Sequence, residues 1–264
     1  MSSEPTSTTE EPHSTSEPTP PKTLKEYALR DPSAAICCVA RLTVIVFTLS
    51  TVIPIFVSVI TSYKVALQAS LIVFSTRLAE RRRRQQVSFF SRQFLTFMFA
   101  EDSGHYLFYC GFYYQYYPTP FILIPLVIYA VIQSSKYLYN AREFLSLGIQ
   151  SFVIATYQKV AASQDSLYRF VAASEIFLMI IVFLNTTLFG GGLLAPFFHY
   201  FFLKWRYSSS RNKYVKLVFY ELRMTAQMLT QRPSCPVFIR NITTRIIDSL
   251  SYLAPTEQPQ TTQQ

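Results

Sequence analysis

Leu42-Thr43-Val44-Ile45-Val46-Phe47-Thr48-Leu49-Ser50-Thr51-Val52-Ile53-Pro54-Ile55-Phe56-Val57-Ser58-Val59-Ile60 is an unbroken run without a formal charge. At about 1.5 Å per residue, a helix of that length spans about 28 Å, the hydrocarbon thickness of a bilayer. This run decides the fold class, because an apolar segment of that length needs lipid or a large core around it. Composition points to lipid. Of 264 residues, 50% are apolar, 16% aromatic and only 15% charged, where soluble domains carry roughly 25%. Mean hydropathy is +0.21. A wholly disordered chain, a collagen-like chain and a disulfide scaffold are excluded. A water-soluble globule is short of charges to cover so much apolar surface.

Outward from this run, the pattern repeats. Val65–Thr76 is a shorter uncharged stretch, between Lys64 and the basic set Arg77 and Arg81–Arg84. Ser103–Ser135 is uncharged throughout and is broken at Pro118-Thr119-Pro120, where a continuous helix is disfavoured. Phe170–Leu203 carries one formal charge, Glu175, and is interrupted by Gly190-Gly191-Gly192. Each of these three regions reads as helix, turn, helix. Phe144–Val160 has the helical periodicity of a segment lying in the interface. Two amphipathic segments follow Leu203, split at Arg232-Pro233, with nine basic and three acidic residues.

The expected fold class is therefore all-α, a multi-pass membrane protein with helical hairpins and a C-terminal amphipathic helical tail. Expected boundaries are a disordered tail over 1–23, a membrane domain over 24–206 and basic amphipathic cytosolic helices over 207–254. A disordered end over 255–264 completes the chain. Within the membrane domain the hairpins are about 42–79, 104–135 and 170–203, with the interfacial helix near 144–160. This arrangement returns the chain to one side after each pair. It puts the formal charge of +9 almost wholly on the cytosolic face, as the positive-inside rule favours. Only Lys64 lies at a far-side turn. No signal peptide is read in the polar start, so the first span serves as an uncleaved anchor.

Few residues invite chemistry. Glu175 and His199 are the intramembrane polar candidates, and Glu175 is expected to pair with Arg169, His105 or His199. Glu101, Asp102 and His105 read as the cap of a membrane helix more readily than as a metal or acid–base site. Eight of the twelve residues Tyr106–Tyr117 are Tyr or Phe, which reads as an interfacial aromatic belt. Arg81, Arg82, Arg83 and Arg84, with Arg211, Lys213, Lys216, Arg240 and Arg245, are candidate membrane-surface anchors for anionic lipid, at about 1 kcal/mol per charge. Cys37 and Cys38 are candidate palmitoylation sites or free juxtamembrane thiols. With no nucleophile elbow, phosphate loop or metal spacing, the sequence reads as a non-enzyme without cofactor.

The stretches Glu101-Asp102-Ser103-Gly104-His105-Tyr106, Glu175-Ile176-Phe177-Leu178-Met179, Arg206-Tyr207-Ser208-Ser209-Ser210-Arg211-Asn212, Glu221-Leu222-Arg223, Arg232-Pro233-Ser234-Cys235-Pro236-Val237-Phe238-Ile239-Arg240 and Leu253-Ala254-Pro255-Thr256 occur in this order. Together they resemble the transmembrane protein 33 family, which includes the Krüppel homologue 2 proteins and fungal pore-membrane nucleoporins. The resemblance implies a multi-pass protein of the endoplasmic reticulum and nuclear envelope that helps organise the tubular network and the pore membrane. It also implies reticulon-type partners, nuclear pore components and a link to the unfolded-protein response. No small-molecule substrate, direct nucleic-acid contact or catalytic residue is implied. The alternative is a channel or transporter subunit, or a regulator of stress sensors.

Overall fold

The computed structural model describes residues 23–231 apart from 56, 89, 90, 191, 210 and 211, and beyond them only 238, 241 and 245. The sequence expectations for the acidic start, for the segment Ile239–Leu253 and for the extreme C-terminus lie largely outside these residues.

Among the described residues the protein is all-helical. The helices are α1 (Leu24–Arg30), α2 (Pro32–Val52), α3 (Val59–Gln85), α4 (Arg92–Ala100), α5 (Asp102–Tyr113), α6 (Pro120–Asn140), α7 (Leu147–Ala162), α8 (Gln164–Phe189), α9 (Leu194–Ser208) and α10 (Lys213–Gln231). Of these, α2, α3, α6 and α8 are long and apolar enough to cross a membrane. The chain is a multi-pass membrane protein.

The first hairpin is displaced from its sequence reading. Its first helix begins at Pro32, well before the uncharged run. Asp31 caps it by accepting the Ala34 N–H at 3.1 Å, and Pro32 stands at the first helical position, where its missing N–H costs nothing. Pro54 ends this helix rather than kinking it, since the last cap bond is Ile53 N–H to the Leu49 carbonyl. The short run Val65–Thr76 is the middle of a much longer helix, capped by Ser58 and continuing through Arg81–Arg84. Charge marks both boundaries wrongly, because long basic side chains let a helix run on past its apolar stretch.

Removing the α2 cap is expected to cost about 1 kcal/mol in Asp31→Ala, read by denaturant unfolding of the full chain in detergent. The Ala34 N–H, and then the Ser33 hydroxyl, hold the Asp31 carboxyl below its usual range. The cap is therefore whole above the unfolded carboxyl's value and is lost as pH falls through the lowered folded one. A difference between Asp31→Ala and the parent that persists unchanged well below that range would overturn the capping role.

Tyr63 donates to the Tyr113 carbonyl at 2.9 Å, Gln68 Nε2 donates to the Tyr114 hydroxyl at 3.0 Å, and Tyr113 Oη lies 2.9 Å from His199 Nδ1. These bonds gather the turns after α2, α5 and α8 at one end of the bundle, with Lys64 beside them, 5.6 Å from the Tyr114 ring centroid. Gly190, at φ 69°, provides the left-handed residue that stops α8 there. At the opposite end Ser33 bonds Glu80, Arg81 pairs with Glu101, and Ser209 donates to Asp102 at 3.0 Å. Three antiparallel hairpins, α2–α3, α5–α6 and α8–α9, thus share one orientation.

The four remaining helices all lie at the basic end. Helix α1 sets Tyr27 against Tyr137 and Phe144, and α4 sets Phe99 against Trp205. Tyr157 of α7 stacks on Tyr139 at 4.2 Å, and Tyr214 of α10 meets Tyr168 at 5.2 Å. Because α7 joins the basic end of α6 to that of α8, it stays along that end, with Leu147, Ile149 and Phe152 exposed. The molecule is wider there than at its turns.

Candidate functional site

Helix α8 buries one face, Val171, Glu175, Leu178 and Val182, spaced at one helical turn. Glu175 is wholly buried there, and so is Arg206 of α9; Nε of the arginine lies 3.2 Å from Glu175 Oε2. The other edges of the guanidinium are also occupied. Nη2 donates to the Tyr129 hydroxyl at 3.2 Å, Nη1 lies 3.1 Å from Asp102 Oδ1, and the plane sits 4.9 Å from the Tyr106 ring centroid. The Tyr106 hydroxyl donates to Glu175 Oε1. One cation therefore balances a fully buried carboxylate and a second, half-exposed one, with all three nitrogens and one face of the guanidinium used.

His199 lies about two turns before Arg206 on α9. Its Nε2 is 2.8 Å from the Glu175 carbonyl and its Nδ1 2.9 Å from the Tyr113 hydroxyl. A carbonyl oxygen can only accept, so Nε2 carries the proton, and a neutral ring accepts Tyr113 on Nδ1. Glu175 and His199 are thus brought together, as a backbone contact rather than an ion pair. Neither Arg169 nor His105 is the partner. Arg169 lies 3.5 Å from Glu221 of α10, and His105 Nε2 lies 2.6 Å from the Phe99 carbonyl.

Arg206 is the functional residue that the sequence reading places elsewhere, in the basic tail after Leu203. The signal is present in the sequence: His199, Phe202 and Arg206 share one helical face at i, i+3 and i+7. The aromatic run also differs from its reading. Tyr106, Tyr109 and Tyr113 are core residues, because their hydroxyls find Glu175, the Ile122 carbonyl and His199 inside the bundle. Of its rings only Tyr117, at the end of the run, is strongly exposed. Glu101 precedes α5 without a side-chain cap bond and pairs with Arg81 instead.

Of the candidate lipid anchors, Arg83 and Arg84 are exposed at the end of α3, Arg82 is half-buried, and Arg81 is taken up by Glu101. Lys213 and Lys216 are exposed at the start of α10, over the Tyr214 and Tyr207 rings. Arg245 is exposed, while Arg211 and Arg240 lie outside the described residues. Tyr214 also donates to Asp165, whose carboxylate pushes the phenol up to about 12. Cys37 and Cys38 are packed inside the α2–α3–α6 contact, with the Cys37 sulfur 4.0 Å from the Val73 carbonyl; acylation there would require the hairpin to open.

A family model described as Transmembrane protein 33/Nucleoporin POM33 matches residues 16–256. Transmembrane protein 33 of Homo sapiens is 34% identical over 197 residues, 74% of this chain and 77% of that one. Krueppel homolog 2 of Drosophila melanogaster is 33% identical over 258 residues, 95% of this chain and 89% of that one. The Transmembrane protein 33 homolog of Caenorhabditis elegans is 29% identical over 238 residues, 88% and 85% of the two chains. No solved structure matches.

Proposed function

The chain belongs to the Transmembrane protein 33/Nucleoporin POM33 family, and on that footing we propose that it is a non-enzymatic membrane-shaping protein of the endoplasmic reticulum and nuclear envelope. Its basic end faces the cytosol, and its hairpins widen the cytosolic leaflet of tubules and of the pore membrane. The supporting observation is the placement of α1, α4, α7 and α10, all at the end where the basic residues gather. A body broader on one leaflet than on the other favours curvature toward the narrow side.

Charge and apolar surface act together in this reading. Arg83, Arg84, Lys213 and Lys216 draw the wide end to anionic headgroups at about 1 kcal/mol each. Exposed Leu147, Ile149 and Phe152 of α7 and Leu222, Met228 and Leu229 of α10 enter the headgroup boundary, as in-plane amphipathic helices do. Reticulon-type proteins and pore components are the partners expected at such a site. The family name supports the pore membrane, since a nucleoporin stands in it.

Reconstitution of the full chain into vesicles tests the proposal. Anionic vesicles should be drawn into narrow tubules visible by electron microscopy. The combined variant Leu147→Ser, Ile149→Ser, Phe152→Ser should tubulate several-fold less while inserting normally. Round vesicles at high protein loading, or tubulation indifferent to the α7 changes, would defeat the wedge reading.

A further inference from the structure

We infer that the crevice beside Arg41, between α2, α3 and α6, holds the phosphate of an anionic glycerophospholipid from the leaflet at the basic end. Arg41 stands within a membrane-spanning helix and is only 8% exposed. Among the described residues, no hydrogen bond or ion pair reaches its guanidinium. Its charged neighbours are Arg77 and Glu80 of α3, and the Glu80 carboxylate shares the single Ser33 hydroxyl with Asp31. Two cations face one carboxylate, so the crevice is one negative charge short.

Geometry puts this deficit at headgroup depth. Side chains of a helix lean toward its N-terminus, and the N-terminus of α2 is at the basic end. The Arg41 tip therefore rises toward Cys37 and Cys38, which are also among its electrostatic neighbours, and toward Arg77, the first charge after the uncharged middle of α3. On the opposite wall Tyr137 of α6 lies near Cys38. Ser134, about one turn deeper in that antiparallel helix, has a buried hydroxyl with no hydrogen-bond partner. An unpaired arginine inside a membrane bundle is costly and marks a functional position. In this assignment the phosphate would accept two parallel N–H bonds from the Arg41 guanidinium and one O–H bond from Ser134. Basic pockets between spans on the cytosolic side hold anionic headgroups in this way. Arg83 and Arg84 attract a diffuse layer, whereas this crevice takes one lipid.

The inference requires the basic end to face a phospholipid leaflet and is independent of curvature: vesicles that stay round would defeat the wedge and leave the lipid count unchanged. Native mass spectrometry of the full chain in detergent, with phosphatidylserine or phosphatidylcholine added back, provides the test. The parent should retain one phosphatidylserine in preference to phosphatidylcholine. Arg41→Gln should lower that retention at least about tenfold, the loss of a charged bidentate contact, and Ser134→Ala should lower it several-fold should Arg41→Gln fail to fold. The double change Arg83→Gln, Arg84→Gln should leave the single lipid in place. Equal retention by the folded Arg41→Gln chain or by Ser134→Ala would overturn the assignment. So would displacement of the lipid by millimolar inorganic phosphate, which would make the crevice a free-phosphate site.

Discussion

Arg206→Met is expected to destabilise the bundle by about 3–5 kcal/mol, because it strips the cation from a buried carboxylate and leaves the charge in place. Arg206 has no exposed surface, and its guanidinium meets Glu175 at 3.2 Å, Tyr129 at 3.2 Å and Asp102 at 3.1 Å. Without it, Glu175 keeps the Tyr106 hydroxyl as a donor and loses the cation paired with it. Asp102 fares better, since its side chain is 37% exposed and water can replace the lost partner. The cost therefore falls on α8, and with it on the tie between the second and third hairpins, because Tyr106 and Asp102 are in α5 and Tyr129 is in α6. Adding Glu175→Leu should recover most of the loss, since an apolar pair of similar volume replaces a buried ion pair at little net cost. Equilibrium unfolding in mixed detergent, run as a double-mutant cycle, measures both numbers. Single changes that each cost less than about 0.5 kcal/mol would show that the pair is not the tie described here.

The same residues show what a sequence yields and what it withholds. The three hairpins are legible because uncharged runs and Pro or Gly breaks are local signals. Their shared orientation is legible too, because basic residues cluster at one end of each hairpin. The start of α2 is misplaced when Arg41 is taken as the edge of the apolar run, although Asp31-Pro32 is a cap-and-first-turn signature. Helix α4 goes unseen: Arg92–Ala100 is too short to show a periodicity against the basic run before it. The partner of Glu175 is out of reach for a different reason. It lies far along the chain on another helix, and one sequence offers no way to tell a buried arginine from a solvated one. Pairing across helices is a property of packing, which patterning constrains only by face.

Gly104→Ala should be the most disruptive glycine-to-alanine change among the described residues, costing about 1–3 kcal/mol or more by overpacking. A Cβ built on Gly104 would overlap the Met98 carbonyl oxygen and stand 2.9 Å from its carbonyl carbon. Both are backbone atoms, so no rotamer change relieves the contact; the last turn of α4 must move off the first turn of α5. That elbow carries two further ties, the Phe99 carbonyl against His105 Nε2 at 2.6 Å and Glu101 against Arg81. Displacing it loosens both and lets the end of α3 swing free of α5. Hydrogen exchange of α4 and the first turn of α5 should rise well beyond the rise elsewhere, with unfolding shifted by the stated amount. Gly111, in the same helix, supplies the control: its Cβ would meet nothing within 4 Å. Gly111→Ala should therefore be neutral or stabilising by roughly 0.5–1 kcal/mol, the ordinary gain from removing glycine inside a helix. If the two alanine variants proved equally stable, the close crossing of α4 over Gly104 would be wrong, and with it the anchoring of the basic rim to the buried charge centre.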